Sequence, residues 1–294
     1  VLPQMVPYIM GLAVVGILYG AIVAAVQPDV KKLVAYSSVA HMGFVLLGIF
    51  SLSYTGLLGG AMQQLNHGIS TGALFLLIGL IYERRHTRMF SDYGGIKAQM
   101  PIYAAIFLIV MLSSVGLPGT NGFIGEFMAM IGAFEASYNG MFGLNVAYAV
   151  LAGIGVILAA VYLLWMFQKM FYGPNNNPEN QRLKDIKPWE IAMCAPLVVL
   201  IFWGGFYPNT FLKPMEKSIA ATRMMALNPV GQRPNWKDAQ LEIGDNGNLV
   251  RNTGDQRGQE TVAPANLHFT PAYAAEMAAR VKVAPAIALP EETP

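Results

Sequence analysis

Residues 113–127 read Ser-Ser-Val-Gly-Leu-Pro-Gly-Thr-Asn-Gly-Phe-Ile-Gly-Glu-Phe, a helix-breaking stretch with one carboxylate inside a long apolar segment. In lipid, backbone groups freed by a broken helix find no water, so such breaks occur only where protein or a wet cavity surrounds them. A carboxylate at that depth is costly and marks an ion or proton path by default. Transporters often build their binding sites from broken helices. The stretch therefore predicts a membrane protein in which Glu126 is functional. The residues predicted to break the helix are Gly116, Pro118, Gly119 and Gly122.

The composition also indicates a membrane protein. The 294 residues are 54% hydrophobic and only 12% charged, whereas soluble domains carry roughly 25% charged residues. A net charge of +2 gives no electrostatic footprint for nucleic acid, so no nucleic-acid partner is expected. The single cysteine, Cys194, excludes an internal disulfide, a multi-cysteine zinc site and an iron–sulfur cluster. No metal site and no cofactor site are expected in this chain.

Six apolar segments are long enough to cross a membrane, for which about 20 residues are needed. They are Met5–Gln27, Leu33–Leu52, Leu57–Tyr82, Pro101–Phe134, Asn145–Phe171 and Ile191–Leu212. The prediction is thus an all-α membrane protein with six transmembrane spans, the fourth a broken helix. Residues 1–214 form the transmembrane module, and residues 215–294 form a polar, irregular extramembrane tail with a short Ala-rich helix at Ala272–Lys282. The chain begins Val1-Leu2-Pro3, so we expect no signal peptide, and either a chain cut from something longer or a numbering that starts within the protein.

The charges of the links orient the spans. The links after the first, third and fifth spans carry two, four and three Lys or Arg residues, Lys169 lies at the end of the fifth span itself, and the links after the second and fourth spans carry none. Because cytoplasmic loops are enriched in Lys and Arg, the three basic links are expected in the cytoplasm and the tail on the opposite side. The charged run from Glu83 to Arg88 is predicted to be solvated.

Two histidines are expected at the depth of Glu126. His41 and His67 each follow the start of their spans by about ten residues, which places both roughly 15 Å deep. Histidine changes protonation near neutral pH and can pass a proton through either ring nitrogen. We therefore predict a proton relay in which His67 and His41 link Glu126 to the cytoplasmic side. The alternative for each histidine is a hydrogen bond between helices, although His67 lies in the polar run Gln63-Gln64-Leu65-Asn66-His67.

Smaller polar residues could bridge the gaps in such a relay. The candidates are Ser37, Ser38, Ser70, Thr71, Ser113, Ser114, Thr120 and Asn121. Their alternative role is the close packing of helices by small residues, which is common in membranes. Lys31 and Lys32, with Asp29, are candidates for the entrance of the path. Alternatively, these two lysines extend their ammonium groups to the membrane interface.

Several motifs resemble a known family. Residues 28–43 read PDVKKLVAYSSVAHMG and resemble the DxKxLxAYSSxSHMG signature of the antiporter-like subunits of respiratory complex I. Residues 66–70, 82–88, 94–95 and 117–127 resemble the M-type member, the counterpart of mitochondrial chain 4. The L-type, N-type and Mrp subunits typically place Lys where this chain has Glu126, whereas the M-type places Glu. The resemblance covers about residues 1–225 and stops before the tail.

The resemblance implies a fold and a function. The six spans correspond to the second inverted repeat of the antiporter-like fold plus the closing span, and the first repeat is absent. The implied function is proton translocation within NADH:quinone oxidoreductase, with no redox site in this chain. NADH, flavin, iron–sulfur clusters and quinone would belong to partner subunits.

The implied partners are the lipid bilayer and other membrane subunits of complex I, including the L-type and N-type antiporter-like subunits. The implied location is the bacterial inner membrane. The alternative is a cation/proton antiporter or membrane-hydrogenase subunit of the same fold. A passive membrane anchor is disfavoured, because it would need no buried ionisable residues such as Glu126 and His67.

Overall fold

A computed structural model describes residues 2–227, 241–243, 249–251 and 260–261. The α-helices in this part are α1 (Leu2–Ala25), α2 (Val30–Phe50), α3 (Tyr54–Arg85), α4 (Pro101–Val115), α5 (Asn121–Tyr138), α6 (Ala147–Phe171), α7 (Pro178–Gln181), α8 (Pro188–Phe206) and α9 (Asn209–Leu227). Short 3-10 turns lie at Phe90–Asp92, Ile96–Ala98 and Met141–Gly143. The chain divides into two units, Val1–Ala226 and Leu227–Pro294.

The second unit contains a small antiparallel sheet that the sequence did not predict. Its strands are β1 (Leu241–Ile243), β2 (Leu249–Arg251) and β3 (Glu260–Thr261), in the order β1-β2-β3. Leu241 pairs with Arg251, and Val250 pairs with Thr261. The predicted helix at Ala272–Lys282 lies outside the described residues.

The helices of the first unit confirm the all-α membrane fold. Five helices are long and apolar enough to cross a membrane, namely α1 from Gln4 onward, α2, α3, α6 and α8. The predicted fourth span is divided into α4, with 15 residues, and α5, with 18 residues. The predicted broken helix is therefore present between α3 and α6.

The end of the sixth span differs from the prediction. Helix α8 stops at Phe206 rather than at Leu212, because Tyr207 precedes Pro208 and a residue before proline avoids the helical conformation. Helix α9 then continues to Leu227, so the first residues of the predicted irregular tail are helical. Leu212, Met215 and Ile219 of α9 pack with Leu58 of α3, which gives this helix an apolar contact.

Glycines form the break between α4 and α5. Gly116 has a φ of 82°, and the next amide, that of Leu117, donates to the carbonyl of Leu112 over 3.1 Å, which is a Schellman end. Pro118 and Gly119 follow in the connecting turn. Gly122, which was also predicted to lie in the break, instead belongs to the first turn of α5.

The place of Gly122 has a packing reason. A Cβ atom at this position would overlap the carbonyl oxygen of Ser113. The glycine therefore allows the beginning of α5 to lie directly against the end of α4. This contact holds the end of α4 against the beginning of α5. The buried polar residues of the two half-helices therefore lie close to one another.

The basic links are more ordered than the sequence predicted. Arg84 was expected to be solvated, yet its Nη2 donates to both carboxylate oxygens of Glu190, at 2.8 and 2.6 Å. Arg85 is 9% exposed and pairs with Glu179 over 3.0 Å. The prediction of a solvated run is therefore wrong for these two arginines, because carboxylates more than 90 residues later in the chain fold back onto them.

The N-terminus of α4 is also bound by a distant residue. The backbone amides of Ile102 and Tyr103 donate to the carboxylate of Asp185, over 2.8 and 3.1 Å. A carboxylate in this position satisfies helix amides that have no partner within the helix and complements the helix dipole. The link between α6 and α8 thus fixes the end of α4 that is farthest from the break.

Candidate functional site

Glu126 lies at the meeting point of three helices. It is on α5 and is 3% exposed. Its Oε1 atom lies 2.7 Å from Nδ1 of His41 on α2, and accepts a hydrogen bond from Nε2 of Gln63 on α3 at 2.9 Å. His41 and Gln63 are each 3% exposed. We call these three residues the carboxylate cluster.

The neighbouring residue explains how α3 comes so close. A Cβ atom at position 125 would overlap the side-chain oxygen of Gln63 and lie 2.8 Å from its Cα atom. Gly125 therefore allows the backbone of α5 to approach α3 at the level of Glu126. The sequence places the glycine and the carboxylate side by side, and the fold uses both at the same contact.

His67 lies beside His41 but is not a member of the carboxylate cluster. In the described structure it makes no hydrogen bond to Glu126, and its ring centre lies 5.7 Å from that of His41. Its Nδ1 atom is 3.0 Å from the hydroxyl of Thr71, one turn later in α3. The structure therefore brings the three predicted relay residues together, with His41 in direct contact with Glu126 and His67 next to His41.

A chain of hydroxyls and amides lies beside the carboxylate cluster and joins α3 to α4 and α5. Ser70 and Ser113 lie 2.8 Å apart, and the hydroxyl of Ser113 donates to the side-chain oxygen of Asn121 over 2.6 Å. Asn66 donates to the backbone carbonyl of Asn121 over 2.7 Å. These are four of the most buried polar residues of the chain, at 0–4% exposed. The chain crosses from α3 to α4 and α5 at the break.

A small polar cavity lies between these groups. Its volume is about 10 Å³, and its lining includes His41, Gln63, His67 and Glu126. That volume is at the lower limit for one water molecule. Nε2 of His41 and Oε1 of Gln63 are buried without a protein partner. Because an unpaired buried polar group costs about 1–3 kcal/mol, these two atoms suit a water in the cavity.

The remaining predicted residues are placed differently. Lys31 and Lys32 are exposed in the first turn of α2, and their backbone amides donate to Asp29 over 2.8 and 3.2 Å. About nine residues of helix, or roughly 13 Å, separate Lys32 from His41. The structure does not bring these lysines into the carboxylate cluster. Gly116, in contrast, is beside it, since a Cβ atom there would lie 3.3 Å from Oε2 of Glu126.

Gln63 is the member of the cluster that the sequence did not single out. It was visible only as part of a polar run on the third span. The signal that identifies it is spacing, because Gln63, Asn66 and Ser70 recur at i, i+3 and i+7 and so share one face of α3. That face carries the hydrogen bonds to Glu126, Asn121 and Ser113.

The arrangement can hold a proton and pass it on. His41 and Glu126 can form an ion pair, or share one proton across a single short hydrogen bond. The cavity and the Ser–Asn chain supply further donors and acceptors on the α4 side. Among the described residues, no cluster of three His, Cys, Asp or Glu side chains that could bind a metal ion occurs.

Residues 1–168 match the protein-family model described as NADH:quinone oxidoreductase/Mrp antiporter, TM, and this match identifies the family. The chain belongs to the NADH:quinone oxidoreductase/Mrp antiporter family. The match covers the region from α1 to the last turns of α6, which includes every member of the carboxylate cluster. The resemblance to antiporter-like subunits is therefore confirmed.

Individual members of this family show the same relationship. The chain is 42% identical over 212 residues to NADH-quinone oxidoreductase subunit M of Rickettsia typhi, covering 72% of this chain and 41% of the relative. It is 39% identical over 214 residues to NADH-ubiquinone oxidoreductase chain 4 of Marchantia polymorpha, covering 73% and 42%. The chain thus spans about two-fifths of the length of these relatives.

A solved structure of the family confirms the fold. The chain superposes on one chain of respiratory complex I from Thermus thermophilus, a structure with bound NADH, with a TM-score of 0.67 and 36% identity. The superposition covers 74% of this chain and 45% of the other. The chain is a multi-pass integral membrane protein of the antiporter-like type.

Proposed function

We propose that this chain is the C-terminal part of an M-type subunit that translocates protons in an NADH:quinone oxidoreductase. The observation that carries the proposal is the buried contact of 2.7 Å between His41 and Glu126, next to a broken helix. Ionisable groups inside a membrane mark ion or proton paths. The similarity to named M subunits and to complex I supports NADH:quinone oxidoreductase as the enzyme and the proton as the ion.

In this proposal Glu126 takes and releases the proton. His41 delivers or accepts it directly, and His67 extends the relay toward the side of the basic links. Gln63 keeps the carboxylate oriented in either protonation state, because it can donate to the charged and the neutral form. Lys31 and Lys32 line the approach from the membrane surface.

The rest of the complex supplies what this chain does not contain. The L-type and N-type antiporter-like subunits are proposed as neighbours in the membrane. Partner subunits are proposed to carry NADH, flavin, iron–sulfur clusters and quinone. The basic links are proposed to face the cytoplasm of a bacterium and the chain ends the opposite side.

The test is Glu126→Gln in the assembled complex, because the amide keeps the shape of the side chain but cannot ionise. Proton uptake by membrane vesicles is measured per NADH oxidised. We expect it to be lost or strongly reduced while the complex still assembles. Glu135→Gln is the matched control, since Glu135 is a second carboxylate on α5 that contacts Thr55 and is outside the cluster. Unchanged pumping in Glu126→Gln would overturn the proposal, and pumping that depends on Na⁺ would indicate an antiporter instead.

A further inference from the structure

A second cavity lies at the ends of α1 and α6, on the side of the basic links. Its volume is about 430 Å³, which is within the range of about 300–1,000 Å³ for ligand pockets. It shares no lining residue with the cavity beside Glu126. The lining residues on which the argument depends are Val26, Gln27, Phe90, Ser91, Trp165 and Lys169.

The cavity is at the level of lipid headgroups. Helix α6 has 25 residues and therefore a length of about 37 Å, which exceeds a hydrocarbon core of about 30 Å. Its last turn, which carries Lys169, extends beyond the core into the interface. Trp165 lies one turn earlier. Tryptophan rings and lysine ammonium groups are enriched at this depth.

The cavity carries a positive charge that no carboxylate neutralises. Lys169 is exposed, and its ammonium nitrogen lies 5.9 Å from the centre of the Trp165 ring. Within the described ranges, none of the ion pairs involves Lys169. The hydroxyl of Ser91, which also lines the cavity, donates to Oδ1 of Asp92 over 3.3 Å and is therefore already occupied. An anionic group in the cavity would meet the ammonium group of Lys169.

The end of α1 does not repel such an anion strongly. The last carbonyls of a helix carry partial negative charge. Here Gln27 donates from its side chain to the carbonyl of Val23 over 3.0 Å and from its backbone to that of Ala24 over 3.2 Å. Two of the orphan carbonyls are thus already satisfied next to the cavity.

Apolar surface leads from the cavity into the membrane. Helix α1 exposes a stripe at Leu12, Val15, Tyr19, Ile22 and Val26, and the last of these residues lines the cavity. Helix α6 exposes Ile157, Val161 and Leu164, and the next residue, Trp165, also lines it. A molecule with a charged head and long apolar chains would match both parts at once.

We propose that this cavity binds the headgroup of an anionic phospholipid. The phosphate would contact Lys169, and the acyl chains would lie along the apolar stripes of α1 and α6. A soluble phosphate would contact Lys169 but would leave the apolar stripes of α1 and α6 unoccupied. The site does not depend on proton translocation, so it stands whether or not the proposed function holds.

The test uses Trp165 as a reporter in the full chain. Trp189, Trp203 and Trp236 are replaced by Phe, and the protein is placed in phosphatidylcholine nanodiscs. Quenching by brominated phosphatidylglycerol is compared with quenching by brominated phosphatidylcholine at equal mole fraction. One lysine near a membrane surface contributes about 1 kcal/mol, which corresponds to about fivefold. We therefore expect about fivefold stronger association of phosphatidylglycerol.

Variants separate a site from diffuse surface charge. Lys169→Gln should remove the preference and Lys169→Arg should keep it. Lys97→Gln is the matched control, because Lys97 also lies above an aromatic ring, that of Tyr172 at 5.0 Å, but does not line the cavity. Equal quenching by both lipids, or an equal loss in Lys97→Gln and Lys169→Gln, would overturn the proposal. Reversal of the quenching by added inorganic phosphate would assign the cavity to a soluble anion and would overturn it too.

Discussion

Nδ1 of His41 and Oε1 of Glu126 lie 2.7 Å apart, although 85 residues separate them in the sequence. Both side chains are 3% exposed. A charged Glu126 without His41 would have only Gln63 as a hydrogen-bonding partner among the described side chains. The two residues therefore form a unit, in which one short hydrogen bond joins the imidazole of His41 to the carboxylate of Glu126.

We predict that His41→Ala and Glu126→Gln act as one change. His41→Ala should lower proton uptake by about 100-fold, the scale of losing an acid–base group. The double variant should show little further loss, because residues that act as a unit are not additive. Proton uptake per NADH oxidised in vesicles measures this. His86→Ala, in a basic link, is the control, and fully additive losses would mean that the two residues act separately.

A different outcome is expected for His67. If it relays protons, His67→Ala slows turnover per assembled complex more than it lowers the amount of complex. If its role is only the hydrogen bond to Thr71 within α3, the loss is in assembly and is small, about 0.6 kcal/mol for a membrane hydrogen bond. Thr71→Val removes the hydroxyl beside Nδ1 of His67 and is the matched control. Normal turnover of His67→Ala per assembled complex over about pH 6 to 8 would make His67 structural.

Gly125→Ala should damage the contact between α3 and α5. The added Cβ would overlap the oxygen of Gln63 and lie 2.8 Å from its Cα atom. Overpacking of this kind costs about 1–3 kcal/mol. The fraction of assembled complex after heating measures the loss. Gly68→Ala is the control, since its Cβ would meet nothing within 4 Å, and a helical Gly to Ala change there should stabilise by up to about 1 kcal/mol. Equal stability of the two variants would contradict the close approach.

The orientation predicts which links can be labelled from outside. Cys194 is first replaced by Ser, and single cysteines are placed at His86 and at Asn139. An impermeant thiol reagent added to intact cells should label position 139, in the link after α5, and not position 86. The basic character of the link at His86 is the reason for this expectation. The reverse pattern of labelling would place the basic links outside.

The sequence predicted the break, and it predicted that His41, His67 and Glu126 lie close together. Glycine and proline interrupt helices by backbone geometry, and depth follows from counting residues along a helix of fixed rise. Both rules are local, and for that reason Gly116, Pro118 and Gly119 lie where they were expected. The same rules predicted one common depth for His41, His67 and Glu126, and their proximity agrees with that prediction.

The sequence could not predict the partners of these groups. Which side chain contacts Glu126 depends on the rotation of α2 and α3 about their axes, and this rotation is set by packing. The same holds for the pair of Arg84 and Glu190, which are 106 residues apart. The continuation of α9 to Leu227 was missed for a related reason, because its apolar contacts with α3 are not visible in the sequence.

Asp185 has a consequence for the order in which the protein is made. Its carboxylate is the acceptor for the amides of Ile102 and Tyr103, which the ribosome produces 83 and 82 residues earlier. Until Asp185 emerges, the first turn of α4 lacks a cap that is typically worth about 1 kcal/mol. The half-helix that carries Ser113 therefore reaches its final anchoring only late in biosynthesis, after α6 has been synthesised. Assembly of the buried polar site at the end of α4 therefore depends on synthesis of the later link that contains Asp185.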